Sequence, residues 1–196
     1  MKKKFFLIML ILFITGCSKE PKQLSYDKIE GLPLNEQVDS IIKNTDLIEQ
    51  YEIVIDESSV AIVYPAEYIS DSRLTLDNSK ESFPNVAMTF VEHLEILNLD
   101  EIVITSYEPS DTEMTGLTKV SAFFTKETID GLDFEKWKEE KKDYPHRFYR
   151  YSDGYLIRGT VWDKLDEETQ EVIGNASKNA VNSDSQFWEY YGDYVE

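Results

Sequence analysis

The stretch at residues 82–98 reads SFPNVAMTFVEHLEILN. Its apolar residues recur at i, i+3, i+4 and i+7, the spacing of one face of a helix. They are Phe83, Val86, Ala87, Phe90, Val91, Leu94 and Leu97. Ser82 is a candidate N-cap, and Pro84 stands in the first turn, where a missing N–H is harmless. The pattern predicts a helix over 83–98 that faces a core.

Three further helices are predicted on either side of this stretch. The first runs from Asn35, as its cap, to about residue 50, with apolar residues such as Val38, Ile41 and Ile42 on one side. Asp133 is the candidate cap of a short helix over 134–142. Asp166 is the candidate cap of a last helix over 167–181.

Six runs with strand composition lie between these helices, in three pairs. They are 51–56 with 59–64, 101–107 with 117–125, and 146–151 with 155–160. The last pair flanks Asp153-Gly154, a dipeptide that favours a type I′ hairpin turn. The order α-ββ-α-ββ-α-ββ-α predicts an α+β fold, an antiparallel sheet built from three β-hairpins with about four helices packed on it. The long polar loop Pro65–Lys80 is either a surface loop or a place where a ligand binds.

The N-terminus has the pattern of a secretory signal. Lys2, Lys3 and Lys4 precede the apolar run Phe5–Ile14. This run is too short to span a membrane, which takes about 20 apolar residues.

Ile14, Thr15, Gly16 and Cys17 follow as a branched apolar residue, two small residues and a cysteine. This resembles the lipobox of bacterial lipoproteins, although an ordinary signal peptide with a chance cysteine is the alternative. The resemblance implies that diacylglycerol is attached to the Cys17 thiol and that the chain is cut just before it. Residues 1–16 are then a lipoprotein signal peptide, 17–34 a flexible tether, and 35–196 a single α+β domain.

The same resemblance implies a place in the cell. Acyl chains on Cys17 would hold the protein on the outer face of a cell membrane. The residues after the cysteine, Ser18 and Lys19, fit the outer leaflet of a Gram-positive cell or a Gram-negative outer membrane. A composition rich in Lys, Ile, Asn and Tyr favours the Gram-positive host.

Charge and cysteine usage exclude several classes of function. The chain carries 20 basic and 38 acidic residues. Removing the three lysines of residues 1–16 leaves 17 basic against 38 acidic residues, a formal charge of −21. Such a balance excludes nucleic acid as a partner, because binding it needs a basic surface. Because Cys17 is the only cysteine, the mature domain has no disulfide, zinc–thiolate site or cysteine nucleophile.

No pattern in the sequence predicts catalysis, a metal site or a cofactor. His93 and His146 are far apart, and neither has the i+4 partner of a zinc-binding helix. Ser40-Ile-Ile-Lys43 matches the S-x-x-K pattern of penicillin-recognising enzymes by chance, because its partner motifs are missing. The acidic residues fall at positions where water is expected to surround the carboxylates. The sequence therefore predicts a protein that is not an enzyme and carries no cofactor.

Two aromatic groups are the remaining candidates for a binding surface. The third hairpin carries Phe148, Tyr149, Tyr151 and Tyr155 among Arg147, Arg150 and Arg158, with Tyr149 predicted opposite Arg158. These are either ordinary strand residues or a face that binds sugar or peptide. The C-terminus carries Phe187, Trp188, Tyr190, Tyr191 and Tyr194. This segment either packs back on the domain or is an exposed partner surface.

The function predicted from these features is a non-enzymatic, membrane-anchored lipoprotein that contacts an envelope protein or peptide outside the cell membrane. One alternative is a small ligand-binding lipoprotein. Another is a sequestering or immunity protein for cationic peptides, suggested by the −21 charge together with the anchor. A further alternative is a small envelope hydrolase, against which stands the lack of a recognisable nucleophile arrangement.

Overall fold

The computed structural model describes residues 26–66, 79–110 and 113–175. Five strands form one sheet with the order β1-β2-β3-β4-β5. They are β1 (Glu52–Asp56), β2 (Ser59–Pro65), β3 (Glu101–Ser110), β4 (Glu113–Thr125) and β5 (Gly154–Ile157). The described helices are α1 (Leu34–Thr45), α2 (Phe83–Leu94), α3 (Lys126–Asp130), α4 (Phe134–Glu140), α5 (Gly159–Trp162) and α6 (Glu167–Asn175). Short 3-10 helices cover Tyr26–Lys28, Glu95–Leu97 and Pro145–Arg150.

The mixed, mostly antiparallel sheet with several helices agrees with the predicted α+β class. Strands β1 and β2 pair antiparallel, as do β3 and β4, so the first two predicted hairpins are present. Strand β5 also pairs antiparallel with β4. The fully antiparallel sheet was a wrong prediction, because β2 and β3 run parallel. Helix α2 connects them, and a helical crossover returns the chain to the end of the sheet where the previous strand began.

The third predicted hairpin is wrong. Residues 145–150 form a 3-10 helix instead of the first strand of the hairpin. The second strand is present as β5, which begins at Gly154 itself. Adjacent Phe148 and Tyr149 are both fully buried in the same core. Successive side chains of a strand point to opposite faces, so a strand would have placed only one of the two in this core. The predicted pairing of Tyr149 with Arg158 is therefore absent.

The main core lies on the face of the sheet that the helices cover. Helix α2 buries Phe83, Val86, Ala87, Met88, Phe90, Val91 and Leu94 there. Phe83 also packs edge-on against Phe148, with ring centroids 5.7 Å apart. The stripe predicted for residues 83–98 is thus confirmed as the centre of the core, although the α-helix itself ends at Leu94.

The predicted helix boundaries are correct in part. Ser82, Asp133 and Asp166 precede helices as expected, and the Asp133 and Asp166 side chains accept hydrogen bonds from the N–H groups of Lys136 and Thr169. Asn35 was the wrong cap, because α1 begins at Leu34 after Pro33. This helix ends at Thr45 rather than residue 50, because Asp46 has left-handed backbone angles. The part of the last predicted helix beyond Asn175 lies outside the described residues.

The globular part begins earlier than predicted. Residues 26–34 belong to the segment predicted as tether, yet Tyr26–Lys28 form a 3-10 helix. Ile29 is buried in the main core, and Tyr26 packs against it. The domain therefore includes residues from Tyr26 onward, which shortens the predicted tether.

A second, smaller apolar cluster lies on the opposite face of the sheet. Its buried members are Ala61, Val63, Val103 and Phe123, with Val54, Tyr107 and Leu156 packed against them. We call these seven residues the second face. In the three described ranges, no helix is both long enough and apolar enough to cross a membrane.

Candidate functional site

The residues predicted to carry the function lie at the two ends of the chain. Cys17 and the other lipobox residues, Ile14, Thr15 and Gly16, fall outside the described residues. So do the C-terminal aromatics, which are Phe187, Trp188, Tyr190, Tyr191 and Tyr194. The structure therefore bears on neither prediction, and the described part of the domain has to be searched for other sites.

The aromatic group around residue 150 is part of the core rather than a binding face. The Phe148 ring packs edge-on against Phe124, Trp137 and Tyr149 at centroid distances of 5.9, 5.9 and 5.1 Å. Phe148 and Tyr149 are fully buried, and Tyr155 is 7% exposed. The interpretation as ordinary strand residues holds for Tyr155 of β5, whereas Phe148 and Tyr149 are core residues of the 3-10 helix Pro145–Arg150.

Four buried polar side chains form a different candidate, which sequence reasoning missed. Tyr64 of β2 and Ser106 of β3 are register partners on the helix-covered face. Both are buried, and neither hydroxyl makes a hydrogen bond of normal geometry. Burial raises the pKa of Tyr64 far above its ordinary value, and the neighbouring Ser106 hydroxyl offsets only part of that effect.

The other two side chains belong to the start of helix α2. Ser82 is fully buried at the N-cap, but its hydroxyl neither caps the helix nor finds another partner. The side-chain nitrogen of Asn85 donates a hydrogen bond to the Ser79 carbonyl, whereas Oδ1 has no partner. We call Tyr64, Ser82, Asn85 and Ser106 the buried polar cluster.

Topology places the two halves of this cluster at one end of the sheet. Because β2 and β3 are parallel, the connecting helix α2 begins at their carboxyl ends. Ligand sites of open α/β sheets occur at this position, outside the carboxyl ends of parallel strands. The 3-10 helix Pro145–Arg150 packs beside the start of α2, where its Phe148 contacts Phe83. Burial, with a smaller contribution from Tyr64 and Tyr155, raises the pKa of Tyr149 in this helix well above its ordinary value.

The chemistry available to the buried polar cluster is hydrogen bonding. It offers three hydroxyl groups, which donate and accept, and one amide oxygen, which accepts. Buried polar groups in folded proteins nearly always have a partner, so each orphan calls for a water, an ion or a ligand. Nucleophilic catalysis by a serine needs an adjacent general base, and the cluster itself contains no histidine, lysine or carboxylate.

Two carboxylates of the described surface, Asp39 and Asp166, take part in pairing and capping. Although burial alone would raise it, the pKa of Asp39 is lowered, because its carboxylate accepts hydrogen bonds from Lys43 Nζ and Tyr51 OH. Hydrogen bonds from the Thr169 N–H and hydroxyl lower the pKa of Asp166. A general acid needs the opposite shift, a pKa raised towards neutrality.

Neither histidine forms part of a cluster of metal-ligating residues. His93 is exposed, and its Nδ1 lies 2.8 Å from the Thr89 carbonyl oxygen. His146 is half-buried beside the Tyr144 ring, with ring centroids 6.1 Å apart. Within the described residues, no three His, Cys, Asp or Glu side chains come together as a metal site.

Comparison with known proteins gives no relative from which a site could be transferred. No family model, no curated protein and no solved structure matches the chain.

Proposed function

We propose that the chain is a lipoprotein anchored on the outer face of a bacterial cell membrane, and that its domain works there by binding a partner. The observation that carries this proposal is Cys17, the only cysteine, placed directly after a short apolar run and two small residues. A thiol at this position receives the lipid in the family that the N-terminus resembles. Two acyl chains give stable anchoring, because each buried methylene contributes about 0.8 kcal/mol.

The charge favours a cationic partner, such as a basic peptide or the basic surface of an envelope protein. The proposed mature chain has a formal charge of −21, so an anionic partner would be repelled. Carboxylates are concentrated around the start of α6, where Asp163, Asp166, Glu167, Glu168 and Glu171 are all exposed. Opposite charge speeds encounter with the partner and makes binding sensitive to salt.

The anchor is tested by fractionating cells that express Cys17→Ser. The variant cannot accept diacylglycerol on a thiol, so it should leave the membrane fraction, whereas the parent chain should remain there after a high-salt wash. Thr15→Ser is the matched control, because it keeps a small residue at that position and should leave the anchor intact. Membrane retention of Cys17→Ser would contradict the proposed anchor.

The cationic partner is tested with the Cys17→Ser chain and an oligolysine peptide of about 20 residues. Binding should weaken steeply between low and physiological salt, because screening shortens the range of exposed charges to about 8 Å. The triple variant Glu167→Gln, Glu168→Gln and Glu171→Gln should bind less tightly. It keeps Asp166, whose side chain caps α6. Equal binding of oligoglutamate would show that charge does not select the partner.

A second candidate function is the binding of a small polar solute, which the buried polar cluster favours. A ligand with hydroxyl or amide groups would satisfy the orphan hydroxyls of Tyr64, Ser82 and Ser106. Screening free amino acids and monosaccharides for a rise in the melting temperature tests this candidate. Ser106→Ala should reduce the rise, whereas Ser40→Ala on α1 should not. Failure of every compound to shift the melt would leave the cationic partner as the better proposal.

A further inference from the structure

The two faces of the sheet are buried in different ways. Every described α-helix places side chains in the main core, among them Ile42 of α1, Phe90 of α2 and Trp137 of α4. Within residues 26–66, 79–110 and 113–175, the cluster on the second face contains strand residues only. Yet Ala61 and Val103 at its centre are 0% exposed, and Phe123 beside them is 4% exposed. A face that excludes water this completely needs a cover.

The polar residues of this face are also prepared for an apolar cover. Thr105 and Ser121 are register partners there, and each is 2% exposed. Their hydroxyl oxygens lie 2.7 Å apart, and the Ser121 hydroxyl also approaches the Ile104 carbonyl at 3.2 Å. Since these hydroxyls satisfy one another, the cover need not supply polar partners.

We propose that the C-terminal segment of this chain, residues 187–194, docks on the second face and is the cover that buries it. This inference goes beyond the proposed function and is independent of the anchor. The segment brings five large aromatic side chains within eight residues. Aromatic side chains bury about 150–250 Å² each, so five of them match a face that spans all five strands.

The place where the described chain ends supports this occupant. The Tyr155 hydroxyl of β5 donates a hydrogen bond to the Ile173 carbonyl near the end of α6, with a distance of 2.7 Å. Helix α6 therefore ends beside β5, the last of the five described strands. Leu156, which follows Tyr155 in β5, belongs to the second face. The described chain therefore ends near β5 on the helix-covered face, one strand edge away from the second face.

The connecting length is sufficient. Eleven residues separate Asn175 from Phe187. Fully extended, they reach roughly 36–40 Å. A sheet of five strands is only about 19 Å wide, since neighbouring strands lie about 4.8 Å apart. The segment can therefore cross the whole second face from its β5 edge.

Truncation tests the proposal in the soluble Cys17→Ser chain. Removing residues 184–196 should uncover the second face, lower the melting temperature and produce fluorescence of a dye that binds apolar surface. Adding the synthetic peptide of residues 184–196 should reduce the dye signal. An unchanged melt without dye binding would overturn the proposal and assign the cover to another part of the chain. A concentration-dependent dimer of the untruncated Cys17→Ser chain would instead identify a second copy as the cover.

Crosslinking provides a second measurement that does not depend on the truncated chain folding. With Cys17 replaced by Ser, the chain has no cysteine, so two can be introduced. Leu156→Cys with Tyr190→Cys should be joined by a bis-maleimide of about 10 Å span, which adds to both thiols. Ile96→Cys with Tyr190→Cys is the matched control and should not be joined, because Ile96 is exposed after α2 and does not belong to the second face. Equal yields for the two pairs would overturn the proposal.

Discussion

Tyr51 and Tyr64 carry the same hydroxyl group in different surroundings. The Tyr51 hydroxyl donates a hydrogen bond to Asp39 over 2.7 Å, and burial together with this bond raises the pKa of Tyr51. The Tyr64 hydroxyl is fully buried, with the Ser106 hydroxyl beside it but no hydrogen bond of normal geometry. A buried polar group without a partner costs free energy, whereas a paired one stabilises the fold.

We therefore expect opposite results when each hydroxyl is removed. Tyr51→Phe should lower the free energy of unfolding by about 1–2 kcal/mol, because a charge-assisted hydrogen bond is lost. Tyr64→Phe should leave it unchanged or raise it by up to about 1–3 kcal/mol. Urea unfolding of the two variants measures both values. A clear loss of stability in Tyr64→Phe would show that this hydroxyl has a partner.

At the scale of single residues, the candidate site could be predicted from the sequence only in part. The resemblance to a lipobox depends on adjacent residues, so it is visible in the sequence. The buried polar cluster depends on the pairing of Tyr64 with Ser106 and on the burial of Ser82 and Asn85, which no local pattern records. Asp153 gives a related lesson. Its carboxylate accepts hydrogen bonds from the Thr125 N–H and from the hydroxyls of Thr125 and Thr128, contacts that are distant in sequence.

At the scale of elements, the 3-10 helix Pro145–Arg150 contains a group that responds to pH. Burial, followed by the charges of Arg147 and Arg150, lowers the pKa of His146, while Asp166 and Glu168 act in the opposite direction. The folded protein therefore favours the neutral imidazole more than the unfolded chain does. Stability should fall as the pH drops below about 6.5, where the unfolded histidine takes up its proton.

His146→Gln should remove this part of the pH dependence. Above pH 7, the difference in the free energy of unfolding between the variant and the parent should not change with pH. The parent should lose more stability than the variant between pH 7 and pH 5. Thermal melts across this range measure the difference. A parallel pair of stability curves would contradict the lowered pKa of His146.

Helix α2 is the element on which the core most depends. Phe90 is 0% exposed at the centre of its buried stripe. Phe90→Ala should cost about 3–5 kcal/mol, through lost burial and the cavity left behind. Ile96→Ala just beyond the helix is the control and should change stability by less than about 0.5 kcal/mol, because Ile96 is 51% exposed. Chemical unfolding of both variants checks the contrast, and equal losses would contradict the assignment of the core.

Elements with a regular apolar period were predictable, and the exceptions have physical causes. The i, i+3, i+4, i+7 spacing predicted α2 because a helix buries one stripe. Residues 146–151 have strand composition, but Pro145 begins a 3-10 helix that turns both Phe148 and Tyr149 inward. The parallel pairing of β2 with β3 follows from the helix between them, a consequence of connectivity that strand composition alone does not express.

At the scale of the whole molecule, the α+β class followed from the order of helices and strands. The composition sets the acidic charge, from which the absence of a nucleic-acid partner is a prediction. It did not reveal the difference between the two faces of the sheet, because both faces of β2 and β3 are buried and these strands read as nearly continuous apolar runs. The functional proposal accordingly depends on the proposed anchor at Cys17 and on the acidic domain as the binding part.

The mass of the intact protein extracted from bacterial membranes tests the central claim most directly. The proposed lipoprotein predicts a chain that begins at Cys17, lacks residues 1–16 and carries diacylglycerol on the cysteine thiol. Digestion should recover the acylated peptide that starts with Cys17-Ser18-Lys19. A chain with an unmodified Cys17 thiol, or one that begins at another residue, would contradict the anchor and the location proposed for this protein.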